Sequence, residues 1–335
     1  MKAAVYPYKV QAPGVGSNTR LLGVNVDGWL VEGAAPEHYR TFLVDGDLAR
    51  LANWRLTHVR LPVESALLET EDGWRALDLA VSLCARHGLR VMLALRWHDP
   101  AALFASPAGW RGLAERWQRL ATRYRDSSAA LMFDLLDEPA APVDVAHDVM
   151  DSLGAARLTA AAVRRAADPE AAAGRAWSAL AARLTETIRD VDERSTLVVE
   201  SPRAQPQAFR HLRPTRDAHT IYSFHCFAPE GLTRRGSGVY PGEVEGERWD
   251  RERLLQTLQP ALAFARTYEA TLYLGAFGAT DTAPRQSRLT WIRSMLALCR
   301  QHGIGWAYWT YRDPPYGLLS KSGVDYDLLG VIQSE

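Results

Sequence analysis

Two carboxylates stand side by side at the end of an apolar run. Leu131-Met132-Phe133-Asp134-Leu135-Leu136-Asp137-Glu138-Pro139 delivers Asp137 and Glu138 just ahead of a proline. Adjacent carboxyl groups whose side chains converge raise one another's pKa, and partial burial raises it further. Glu138 is therefore expected to donate a proton near neutral pH, to an oxygen leaving group or an enol ether. An unpaired buried carboxylate is costly, so Glu138 is assigned to a site rather than to packing. A second apolar run, Leu272-Tyr273-Leu274-Gly275-Ala276-Phe277-Gly278-Ala279, ends in a glycine-flanked turn and carries no titrating side chain beyond its tyrosine. Arg60, in His58-Val59-Arg60-Leu61-Pro62, bears a guanidinium that keeps its proton and must find an anion. A salt bridge from Arg60 to Glu138 is the competing, purely structural expectation. Arg96 (Leu95-Arg96-Trp97-His98), His225 and Phe227 (Phe224-His225-Cys226-Phe227) and Trp309 (Tyr308-Trp309-Thr310) complete the candidates. Taken singly, a strand tryptophan is more often packing than platform.

These residues need elements to hold them. Short apolar strands are expected at 21–26, 57–63, 90–95, 130–136, 196–200, 220–224, 271–274 and 305–310. Amphipathic helices are expected between several of them, at 45–54, 74–87, 113–124, 171–191, 256–269 and 291–302. Alternation of this kind implies a parallel sheet covered by helices. Eight strands, with no Gly-rich phosphate turn after the first, select a closed (β/α)8 TIM barrel, an α/β fold in a single domain over residues 1–335. Two stretches break the rhythm. Residues 140–168 read as a helical insertion after the fourth strand, a plain insertion being favoured slightly over a lid. Residues 229–250 form a long loop after the sixth strand, on the face where such barrels keep their sites.

In order and spacing the two runs resemble the catalytic strand ends of the cellulase-like glycoside hydrolase family 5, where the first motif reads Asn-Glu-Pro and the second Gly-Glu-Phe-Gly. The resemblance follows that family's order along almost the whole chain. It implies that Glu138 is the acid/base and that Ala276 occupies the position of the missing nucleophile. It further implies that Arg60 is the arginine that steadies the nucleophile, His225 the sixth-strand histidine and Trp309 the sugar platform. Three positions depart from the pattern: Asp137 replaces an asparagine, Arg96 a third-strand histidine and Phe227 a tyrosine. A retaining glycosidase needs two carboxyl groups roughly 5–5.5 Å apart, one to protonate and one to attack. Here one of the two is an alanine.

Bulk composition adds exclusions. Thirty-nine basic residues balance 39 acidic ones, so no field draws in nucleic acid or an anionic membrane. Cys84, Cys226 and Cys299 are odd in number and far apart, which fits buried thiols better than disulfides. No His-x-x-x-His, Cys-x-x-Cys, phosphate loop or Gly-x-Ser-x-Gly elbow occurs, so neither a metal nor a cofactor is expected. The amino terminus lacks the apolar core of a signal peptide, giving a cytoplasmic expectation, or a secreted one if a leader has been removed. The partner expected is a carbohydrate or a glycoside-like small molecule, with oligomeric state left open. Three functions follow in order of preference. The first is a diverged enzyme using Glu138 as general acid/base for an isomerisation, elimination or cyclisation. The second is a retaining β-glycosidase inactivated by Glu-to-Ala replacement at 276. The third is a carbohydrate-binding protein without catalysis.

Overall fold

The computed structural model describes residues 20–127, 131–142, 147–153, 169–312, 314–320 and 322–334. Eight strands form the barrel, numbered here β1 (Leu22–Asn25), β2 (His58–Glu64), β3 (Arg90–Arg96), β4 (Leu131–Asp134), β5 (Thr196–Glu200), β6 (Thr220–Cys226), β7 (Leu272–Phe277) and β8 (Gly305–Tyr308). Each pairs in parallel with its sequence neighbours, and β1 pairs with β8, which closes the ring. The strands are near-continuous apolar runs because helices cover their outer faces while other side chains fill the barrel. The expected helices all occur among the described residues. Helix Glu71–Arg86 illustrates the rule: Trp74, Leu77, Ala80, Val81 and Cys84, at spacings of three and four, are all buried. Its amino end is capped by the Thr70 hydroxyl, which accepts from the Gly73 N–H, and Gly88, at φ 69°, follows its end before β3.

Inside the barrel the filling changes character along the strands. Met92, Met132, Val198, Tyr273 and Ala307 form a small apolar cluster separate from the main core. Near the start of β2, His58 Nε2 lies 2.7 Å from the Tyr273 hydroxyl. Gly23 makes room for that imidazole, since a Cβ there would lie 2.3 Å from His58 Cε1. Further along the strands the buried side chains become polar: Asn25, Arg60, Asp134, Glu200 and Ser223.

Four strand ends differ from expectation by two residues or more, and each bears on the site. β6 runs on to Cys226, so His225 lies within it. β4 stops at Asp134, two residues early, because the chain turns away to bring Glu138 to φ 51°. β7 runs on to Phe277, so Ala276 lies within a strand rather than beyond it. β8 ends at Tyr308, leaving Trp309 outside. The loop after β6 holds a short helix, Glu230–Thr233, and a hairpin of Gly242–Val244 with Glu247–Trp249. Of the expected insertion, residues 143–146 and 154–168 lie outside the described residues, and His147–Ser152 is helical. The three cysteines are buried and none is in a disulfide. Among the described residues no helix is long and apolar enough to cross a membrane.

Candidate active site

Arg60 is the hub. Fully buried, it donates from Nε to Asp134 Oδ2 (2.9 Å), from Nη1 to Asn25 Oδ1 (3.2 Å), and from Nη2 to Asp137 Oδ1 (2.6 Å) and Glu200 Oε1 (2.9 Å). The guanidinium expected to seek an anion thus finds three carboxyl groups, none of them Glu138. Burial by itself weakens its hold on the proton, but Asp137, Asp134 and Glu200 more than offset this and leave it held more firmly than usual. They divide in consequence. Burial, with Glu200 adding like charge, pushes Asp134 well above the carboxylate range. Burial acts upward on Asp137 too, yet Arg60, His225 and Arg96 outweigh it and keep Asp137 ionised. Arg96 reaches Asp137 Oδ2 from Nε at 3.2 Å and Asp27 Oδ1 from Nη1 at 2.9 Å.

Glu138 turns the other way. Its side chain is 62% exposed, while its backbone N–H donates to Glu200 Oε2 at 2.8 Å. Its Oε1 lies 3.3 Å from His225 Nδ1, and the opposite ring nitrogen lies 3.0 Å from Glu200 Oε1. That second contact is an ion pair whose angle falls short of a hydrogen bond. Burial disfavours a charged imidazole, but the Glu200 charge and the Glu138 bond raise His225 to about 10, so it is an imidazolium at neutral pH. Glu200 therefore grips Glu138 twice, directly at its backbone and through His225 at its side chain.

This arrangement overturns the expected direction for Glu138. Its hydrogen bond to His225 lowers its pKa below the ordinary glutamate value, and desolvation and Asp137 do not reverse it. Asp137, whose own charge is shared with Arg60 and Arg96, pushes it upward by less than His225 draws it down. At neutral pH Glu138 rests as a carboxylate with a cation behind it, poised to accept a proton rather than give one.

A pocket of about 800 Å³ opens over the ends of β3 to β6. Five of the eight residues singled out from sequence line it: Arg96, Asp137, Glu138, His225 and Phe227. Arg60 lies beneath. Ala276 is 2% exposed and sits in register with His225, but it does not line the pocket. Trp309 is half-buried, its backbone N–H donating to Phe277 O at 2.9 Å, and it lies outside the pocket as well. Sequence reasoning missed Glu200, Asp134 and Asn25. Glu200 was open to discovery, since a carboxylate closes the predicted fifth strand just as Glu138 follows the fourth. Asp134 gave no comparable signal, being one acid within an apolar run.

Asp137, Glu200 and His225 bring potential ligand atoms within 4.8 Å of one another. They do not suit a metal ion. The Arg60 Nη2 group already engages both carboxyl groups, and an imidazolium has no free lone pair.

Comparison with known proteins agrees with this architecture. The family model described as cellulase (glycosyl hydrolase family 5) matches residues 23–314. Endoglucanase C of Acetivibrio thermocellus is 23% identical over 92% of this chain and 97% of its own length. Cellodextrinase A of Ruminococcus flavefaciens is 25% identical over 84% of this chain and 82% of its own length. Among solved structures, the clostridial cellulose synthase subunit Z of Clostridioides difficile superposes with a TM-score of 0.73 at 18% identity, covering 94% of this chain and 99% of that one. Thermotoga maritima Cel5A with cellobiose gives a TM-score of 0.72 at 19% identity, covering 93% and 97%. With its closed eight-stranded barrel and a family match over most of its length, the chain belongs to glycosyl hydrolase family 5, the cellulase family.

Proposed function

We propose that this chain acts on a carbohydrate or glycoside-like substrate, with Glu138 as general acid/base and without a covalent glycosyl-enzyme intermediate. One observation carries the reading. Of the carboxyl groups around Arg60 and His225, Glu138 alone has a largely exposed side chain, and it faces the pocket. Asp134 and Glu200 are fully buried, Asp137 is nearly so, and all three bond to Arg60. Residue 276 contributes only a methyl group beside His225. With Glu138 serving as acid/base, no second carboxylate of the cluster is free to attack an anomeric carbon, which retention requires.

Glu138 accepts a proton from a substrate hydroxyl or an activated C–H while the His225 imidazolium stabilises the carboxylate before transfer. The protonated Glu138 then returns that proton to a leaving or rearranging oxygen. Such acid/base help is worth about 10²–10⁴-fold, enough for an isomerisation, an elimination or a cyclisation.

A second reading, a retaining β-glycosidase that has lost its nucleophile by replacement at 276, is favoured by the unbroken Gly275, Phe277 and Gly278 around that position. Ala276→Glu separates the two. A new carboxylate there would join a cluster already holding four acids, with Phe227 offering no hydroxyl to orient it. The gain in hydrolysis of an aryl β-glycoside is expected to stay below about a hundredfold, small beside the many powers of ten a nucleophile supplies. Recovery to the rate of an ordinary retaining enzyme would establish the second reading instead.

A further inference from the structure

The pocket continues past Gln207, Ala228 and Thr257 into a smaller recess of about 280 Å³. Three aromatic rings line the two: Trp97, Phe227 and Trp249. A neutral sugar is held by laying its C–H face on a bare aromatic ring, but here each ring already carries a guanidinium. Arg116 lies 4.8 Å from the Trp97 centroid, Arg234 4.5 Å from Phe227 and Arg253 5.6 Å from Trp249.

The cations of the pocket are not all spent. Arg96 is taken by Asp27 and Asp137, and His225 by Glu138 and Glu200. Arg234 is held only loosely, its Nε 3.5 Å from Glu230. The Arg203 side chain has no hydrogen bond or ion pair among the described residues, although it lines the pocket. Its backbone is nonetheless fixed. Arg203 and Ala204 stand at φ 51° and 53°, and the Arg203 N–H donates to Pro139 O at 2.7 Å, next to Glu138. Left-handed backbone at two successive non-glycine residues costs energy and persists only where the surroundings impose it. Here it ties an uncommitted guanidinium to the loop that carries the acid/base.

We propose that the pocket binds a saccharide bearing an anionic group, a sugar-acid carboxylate or a phosphate ester, with Arg203 and Arg234 as its anchors. The inference rests on the carbohydrate reading above and names the substrate class for the same site. A guanidinium meets such a group through paired, charge-assisted hydrogen bonds, and the neighbouring Gln205 and Gln207 amides can serve sugar hydroxyls. Glu230 is the pocket's remaining acid, and it faces Arg234 and Arg235.

Calorimetric titration of the full chain with three probes tests this: cellobiose, the disaccharide oxidised to a uronic acid at C6, and cellobiose 6-phosphate. At low salt at least one acidic probe is expected to bind about tenfold or more tightly than cellobiose, and the advantage should shrink on raising salt from about 20 to about 500 mM. Which acidic probe leads identifies carboxylate or phosphate as the source. The double variant Arg203→Gln/Arg234→Gln should bring the acidic probe's affinity down to that of cellobiose, with thermal melting confirming that it folds. Equal binding of all three probes, or an acidic advantage that survives the double variant, overturns the inference while leaving the carbohydrate reading intact. If no probe binds, both fall. If the acidic probe binds through the arginines but Glu138→Gln leaves turnover untouched, only the proposed catalysis falls.

Discussion

Glu138 and Glu200 show how much a residue's chemistry depends on its neighbours. Side by side in sequence, Asp137 and Glu138 should repel; in the fold each is given its own cation, Arg60 and Arg96 for the first, His225 for the second. Glu200, fully buried, is the positioning residue that makes this possible, holding the Glu138 N–H on one oxygen and Arg60 and His225 on the other. Glu200→Gln keeps the shape but removes the charge that raises His225. The imidazole, followed by NMR, should then titrate below the parental value of about 10. The basic limb of any pH–rate profile should move down with it. A His225 titration identical in parent and variant would reduce Glu200 to a packing role, since loss of packing alone does not shift an imidazole selectively.

At the level of elements, the strand order and barrel closure could be read from alternating apolar runs and amphipathic helices because strands covered on both faces have few other solutions. Strand β5 was located to the residue, since Thr196–Glu200 is bounded by polar neighbours on both sides. The ends of β4, β6, β7 and β8 were not, and these ends carry much of the site. Hydrophobicity continues through Leu135 and Leu136 although the strand does not, because a backbone at φ 51° at Glu138 is imposed by Glu200 from a different strand. The same limit explains the pKa error. Sequence shows which charges adjoin along the chain, whereas His225 reaches Glu138 from 87 residues away. The pocket's displacement toward β3–β6, away from Ala276 and Trp309, follows from loops whose packing no local pattern encodes.

For the molecule as a whole, two histidines set opposite limits on stability. His58 is buried and neutral, its pKa lowered to about 3 by desolvation and by Arg90 and Arg60. Its contribution is complete above the unfolded value of about 6.5 and is lost as pH falls toward 3. His225, raised to about 10, contributes fully below about 6.5 and loses its share as pH rises through 10. Buried Asp134, also raised, loses its share as pH rises and so opposes His58 on the acid side but adds to His225 on the basic side. Denaturant midpoints should therefore fall as pH rises from about 7 toward about 10, and a midpoint rising steadily over that range would contradict this electrostatic account. The catalytic account meets its most direct test in Glu138→Gln, which preserves size and hydrogen bonding while removing the group that accepts and returns the proton. Turnover of the native substrate and its equilibrium binding, measured side by side for parent and variant, decide the matter. Turnover is expected to fall about 10²–10⁴-fold with binding changed little, whereas a variant that binds and turns over substrate at the parental rate would show that Glu138 takes no part in the chemistry.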